Sequence, residues 1–212
     1  PVVNPTGAVY SPGEIADLLS LAHSVGAVVV MDTVFSGLEF QPCKAPLALE
    51  EVLESTEGAL ELVILGGLSK EFSGGGLRFG FAFTRSAHLA AIFRGQPLSA
   101  PHSTLRYAAK RVYAALNGKD PELHADLAEQ RGVLRDREIR LRTTLESSGW
   151  NVVPSLGGLF LVASPTEFIG KLFRYETVAG ETREVRLDAG NIHEALFHTE
   201  NMLVNNDVWT GI

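Results

Sequence analysis

The sequence predicts an α/β layer built on a mainly parallel sheet, followed by a smaller α+β part. Two β-branched apolar runs, Ala27–Met31 and Leu62–Leu65, read as strands covered on both faces, and Phe79–Phe83 reads as a third. Helical patterns alternate with these runs, the order expected of a parallel sheet with crossover helices. From Ser103 onward the texture changes to long helices and then to short strands.

Ser11-Pro12-Gly13-Glu14 has the form of a capping box with proline at the first helical position. Behind it Ile15, Leu18, Leu19, Ala22 and Val25 recur at helical spacing, so a helix runs to about Ser24 and Gly26 ends it. Thr104–Leu116 and Glu122–Ser147 read as helices, the second keeping Leu123, Leu127, Leu134, Leu141 and Leu145 near one face. Trp150–Val153 and Gly157–Ala163 read as strands, and Thr166–Gly170 as a short helix. Phe173–Arg186 is a hairpin around Gly180, Asn191–His198 a helix and Met202–Val204 a last strand. The expected organisation is a large domain over 1–120, a connecting helix over 121–147 and a small domain over 148–212.

A net charge of −7 and a pI near 5.4 argue against a nucleic-acid partner, which calls for a basic face. Cys43 is the single cysteine, which excludes an internal disulfide or a cysteine-built zinc site and suits a reducing, cytoplasmic setting. The apolar runs are too short to span a bilayer, so no membrane partner is expected. The chain opens on Pro1-Val2-Val3-Asn4, as though in mid-domain.

The residues with chemical promise are few. Asn4-Pro5-Thr6-Gly7 on its own is a turn signal. Asp32 ends a strand, where open α/β sheets bind ligands, although it serves equally well to cap a turn. Lys70 follows the second strand by five residues in a glycine-flanked segment, and Arg78 lies eight residues on. A lysine turns into an imine-forming nucleophile when it is desolvated or sits near other cations. Gly74-Gly75-Gly76 lacks the spacing of a nucleotide-binding loop. His23 reads as a packed edge of the first helix. His193 and His198 lie five apart rather than the four of a zinc pair.

Taken in order, Asn-Pro-Thr-Gly, an Asp 28 residues later, Ser69-Lys70 and then Arg78 resemble the class I/II aminotransferases, the fold-type-I pyridoxal-phosphate (PLP) enzymes. Ser69–Gly80 looks like their Schiff-base signature, and Gly157-Gly158-Leu159-Phe160 like their small-domain glycine-aromatic strand. Pro101–Thr104, Tyr107–Lys110, Ser148-Gly149-Trp150 and Val208–Ile212 further resemble the aminotransferase-like region of the methionine S-methyltransferase family.

The resemblance implies a PLP-dependent transferase-like large domain, a small-molecule amino-acid substrate and a homo-oligomer. It implies that Lys70 forms the Schiff base, Asp32 pairs with the pyridinium nitrogen through a short, buried bond, and Asn4 donates to the ring's phenolic oxygen. Arg78 and Ser69 would hold the phosphate, and His102 with Ser103-Thr104 would reach toward a partner's site, although Ser103 serves equally well as a helix N-cap. Two positions depart from the pattern: Phe35 stands where the family has a tyrosine hydroxyl, and Gly67 where it often has a phosphate-binding hydroxyl. The family's phosphate turn and carboxylate-gripping arginine would fall before Pro1 and after Ile212, so the chain alone is expected to be inactive. The alternative is a non-catalytic regulatory or scaffolding domain attached to an S-adenosylmethionine-dependent methyltransferase.

Overall fold

The computed structural model describes residues 2–41, 60–95, 103–118, 120–177, 179–188 and 190–200. By contact the chain divides into two compact units. The first comprises Pro1–Arg137 with Ser155–Phe160, and the second Glu138–Pro154 with Leu161–Ile212. The division thus falls inside the long helix, and Ser155–Phe160 belongs with the first unit.

The first unit begins with α1, Pro12–Ser24. Ser11 accepts from the Glu14 N–H through its hydroxyl at 3.2 Å, while the Glu14 carboxylate accepts from the Ser11 N–H at 2.8 Å. Both bonds satisfy donors that the first helical turn cannot pair internally. They also favour ionised Glu14, whose carboxyl is held below its usual range by those two contacts with Ser11. Ile15, Leu19 and Ala22 form the buried stripe.

Strand β1 (Val29–Asp32) pairs in parallel with β2 (Leu62–Gly67), and β2 pairs antiparallel with β3 (Gly80–Phe83). Ile15, Leu19, Leu60 and Leu62 make the core beneath this sheet, with Val29, Met31 and Ile64 packed on it. The expected double coverage does not hold. Val28 and Val30 are 53% and 61% exposed, as are Phe81 and Phe83 at 40% and 50%. The cause is the two-residue period of a strand: Val29 and Met31 face the α1 core, which turns Val30 and Asp32 the other way.

Helix α2 covers Ala87–Gly95, α3 Ser103–Asn117 and α4 Pro121–Ser147. On α4 Leu127 is buried and Leu134 packs on a second core of Val2, Phe35 and Leu38, but Leu141 is 48% exposed. His23 is exposed rather than packed at the edge of α1.

In the second unit β4 (Asn151–Val153) pairs antiparallel with β5 (Val162–Ser164). The expected strand from Gly157 is therefore much shorter. Gly157 makes only an isolated bridge to Glu39, within the first unit, and Gly158 has φ +88°. Residues 166–170 form turns, not a helix, closed by the Phe168 N–H to the Pro165 carbonyl at 2.8 Å. Five residues are too few to repay helix nucleation. The expected hairpin is present as β6 (Leu172–Glu176) and β7 (Thr182–Arg186). Tyr175, Leu187 and Ala195 form its core against α5 (Ile192–Glu200). Cys43, Pro101, His102, Met202–Val204 and Val208–Ile212 lie outside the described residues.

Candidate active site

Strand order and register bring three of the expected residues to one end of the sheet. Asp32 is the last residue of β1 and pairs with Leu65, and Lys70 lies three residues past the end of β2. Gly67 pairs with Gly80, so Arg78 enters β3 from the same end. This is the carboxyl end of the parallel pair, the place where open α/β sheets take ligands.

Ser69 and Lys70 are half-buried. Together with Ser73 they line a cleft of about 550 Å³. The facing wall is one side of α4: Asp126, Glu129, Gln130, Val133, Leu134 and Arg137. That spacing of three, four, seven, eight and eleven is a single helical face, and it is readable in the sequence once the helix is known. Sequence reasoning had not assigned these residues to the site. Asn4, Asp32 and Arg78 are not among the residues lining the cleft.

The Lys70 Nζ lies 5.2 Å from the centroid of the Phe35 ring. Phe35 is 8% exposed and makes an edge contact with Phe160 at 6.2 Å. The position that resemblance would give a hydroxyl thus presents an aromatic face to the lysine. A cation over a ring is attracted by its quadrupole, by about 0.5–1 kcal/mol at exposed sites.

The expected short, buried bond of Asp32 is not prepared in advance. Asp32 is exposed, because it follows Val30 on the open face of β1. Its Oδ1 accepts from the Val34 N–H at 2.9 Å, the turn-capping role. A carboxylate has capacity beyond that one bond. Asn4 is exposed in a turn closed by the Gly7 N–H to the Val3 carbonyl at 2.8 Å. Arg78 is exposed, and both it (φ +49°) and Ser73 (φ +51°) occupy the left-handed region. For non-glycine residues that conformation costs about 1–2 kcal/mol each. Such outliers cluster at functional loops.

Gly67 has a steric reason to lack a side chain. A Cβ there would lie 2.8 Å from the Phe79 carbonyl oxygen. The close approach of β2 to the start of β3 therefore excludes a hydroxyl at this position.

Behind Lys70 lies a charged cluster. The Glu71 carboxyl is pushed above its usual range, first by burial and then by the Glu39 charge, against the opposing pull of Arg131 and His124. Burial, followed by the Glu71 charge, raises the Tyr113 phenol. Among the described residues no group of three or more metal-ligating side chains occurs, His193 included.

A family model described as aminotransferase class I and II matches residues 2–179. The chain is 37% identical over 223 positions to a methionine S-methyltransferase of Zea mays and 38% over 217 to one of Hordeum vulgare. Each alignment spans 100% of this chain but 19% and 20% of the relative, so the chain spans about a fifth of the curated relatives it matches. Among solved structures, the N-succinyldiaminopimelate aminotransferase of Mycobacterium tuberculosis is 27% identical. It superposes with a TM-score of 0.71 over 95% of this chain and 46% of that one. An aspartate aminotransferase of Thermotoga maritima, 20% identical, shares the fold at a TM-score of 0.64 over 95% of this chain and 45% of that one. Four ordered sequence motifs, a lysine at the carboxyl end of a sheet and these likenesses converge: the chain belongs to the aminotransferase class I and II family.

Proposed function

We propose that this chain is the PLP-binding, amino-acid-handling module of a larger protein of the methionine S-methyltransferase type, with Lys70 as the reactive amine. The observation that carries the reading is the position of Lys70: past the end of β2, half-buried, in a cleft and against the Phe35 ring. The donor set suits the cofactor: a lysine amine, a strand-end carboxylate with spare acceptor capacity, and an arginine and a serine at the same sheet end. When bound, PLP supplies an electron sink for charge that develops at the substrate α-carbon.

The chain's own residues do the rest. Lys70 holds the cofactor covalently and moves the proton at the substrate α-carbon. Asp32 holds a proton on the ring nitrogen through its remaining acceptor sites, by a charge-assisted bond. Arg78 and Ser69 hold the phosphate, and Asn4 donates to the phenolic oxygen. Phe35 has no proton to give that oxygen, and one such bond to a charged acceptor is worth about 1.5–3 kcal/mol. This reading carries with it a homodimer and a cytoplasmic location. Among the described residues no helix is long and apolar enough to cross a membrane.

A second reading is favoured by buried Phe35 and exposed Asp32: a regulatory module that binds an amino acid or the cofactor without transamination. One experiment separates the two. PLP is titrated into the full-length protein, the attachment is fixed with borohydride, and the labelled peptide is mapped. Label on Lys70 is expected, and label elsewhere or none overturns the reading. If Lys70 carries the label, amino-group transfer from methionine and related amino acids by the unreduced, PLP-loaded protein marks an enzyme, and its absence there a binding module.

A further inference from the structure

The segment that carries Lys70 is tied to two other elements of the first unit, and Glu71 is the knot. The Glu71 carbonyl oxygen accepts from Gln130 Nε2 on α4 at 3.1 Å. Its carboxylate rests on the turn that follows Phe35, since a Cβ on Gly37 would overlap it. Gly37, at φ +91°, is fixed in turn from two sides. Its N–H donates to Glu39 Oε2 at 2.7 Å, and its carbonyl accepts from Arg131 Nη1 at 3.4 Å. Gln130 and Arg131 are adjacent on α4, so one helical turn grips both the Lys70 loop and the Phe35 turn.

We propose that Glu71 is a positioning residue for Lys70: its carboxylate, seated on Gly37, fastens the lysine loop to the Phe35 turn, and its charge sets how tightly. Glu39 and Glu71 approach the same glycine and repel each other when both are ionised. Arg131 and His124 on α4 offset the repulsion in part, and Tyr113 on α3 is the further titratable group that feels Glu71. With Glu71 protonated the seat closes and Lys70 is held over the Phe35 ring. With Glu71 ionised the seat loosens and the amine is presented to the cleft. This rests on the reading of Lys70 as the reactive amine, yet it concerns the amine before any cofactor is bound.

The test therefore reads the lysine directly. Full-length protein stripped of any bound PLP with hydroxylamine and dialysed is pulsed with acetic anhydride at a series of pH values, and acetylation of Lys70 is expressed relative to exposed Lys171 by peptide mass spectrometry. The expected result in the unmodified protein is a several-fold rise in that ratio above the ordinary carboxylate range. Glu71→Gln keeps the shape, removes the titration and yields a flat ratio. Glu39→Gln leaves Glu71 in place, and the rise becomes smaller and moves to lower pH, which keeps the test open should Glu71→Gln fold poorly. Profiles of the unmodified protein and either variant that coincide overturn the proposal. Because no PLP is present, a failure of cofactor binding is a separate result.

Discussion

The Lys70 Nζ stands 5.2 Å above the ring of Phe35, with the ring itself buried at 8% exposure. An aromatic face can hold an ammonium but cannot donate a hydrogen bond. Phe35→Leu and Lys70→Met, alone and combined, should show a coupling energy of about 0.5–1 kcal/mol in a double-mutant cycle of denaturant unfolding. A coupling near zero would mean the contact is incidental.

Phe35→Tyr adds the hydroxyl that the family pattern carries. It should tighten PLP binding by roughly 10-fold, the lower end of about 1.5–3 kcal/mol for a bond to a charged acceptor. Equilibrium titration of the visible absorbance measures this, and unchanged affinity counts against Phe35 as the cause of any weak hold.

Glu71 binds its proton more tightly in the folded chain than in the unfolded one. Its contribution is therefore favourable in acid and is lost as pH rises through the raised value. Glu71→Gln should unfold at a higher temperature than the unmodified protein at neutral pH. That advantage should shrink as the pH falls to the ordinary carboxylate range, as thermal melts across pH will show.

Gly67→Ser adds a hydroxyl at the position where the resemblance implies one, but its Cβ would meet the Phe79 carbonyl at 2.8 Å. The expected outcome is a loss of about 1–3 kcal/mol from overpacking, with no gain in PLP affinity. Chemical denaturation and the same absorbance titration decide it.

Ser11→Ala removes one of the two cap bonds of α1 and should cost about 1 kcal/mol. Leu19→Ala, at 0% exposure in the core below the sheet, should cost about 2–5 kcal/mol. Their ratio in one denaturation series compares the cap with the core it orients.

Local chemistry was legible. The α1 cap, the glycine-turned β6–β7 hairpin and the length of α4 follow from residues within a few positions of one another. What escaped is set by distant neighbours. Val28 and Val30 read as doubly covered because their own run is uniformly apolar; only the placement of α1 decides which side of β1 is open. The exposure of Asp32 follows from that same face. The order of Asp32, Lys70 and Arg78 along the chain matches their gathering at one end of the sheet. The seat of Glu71 on Gly37, by contrast, joins residues brought together only by the fold. The α4 wall of the cleft was hidden for a similar reason, since its face has a meaning only once Lys70 lies opposite.

The return of Ser155–Phe160 to the first unit bears on how the molecule can be dissected. The Leu156 N–H donates to the Gly7 carbonyl at 2.9 Å and the Gly158 N–H to the Leu38 carbonyl at 3.1 Å, while Phe160 packs on Phe35. A stop codon after Arg137 would leave those two carbonyls unpaired and uncover the ring that faces Lys70. Any excised version of the lysine-bearing unit must either carry residues 155–160 on a spliced linker or be supplied with them as a separate peptide, and the ability of such a peptide to rebind would measure how firmly this returning segment is held within its own unit.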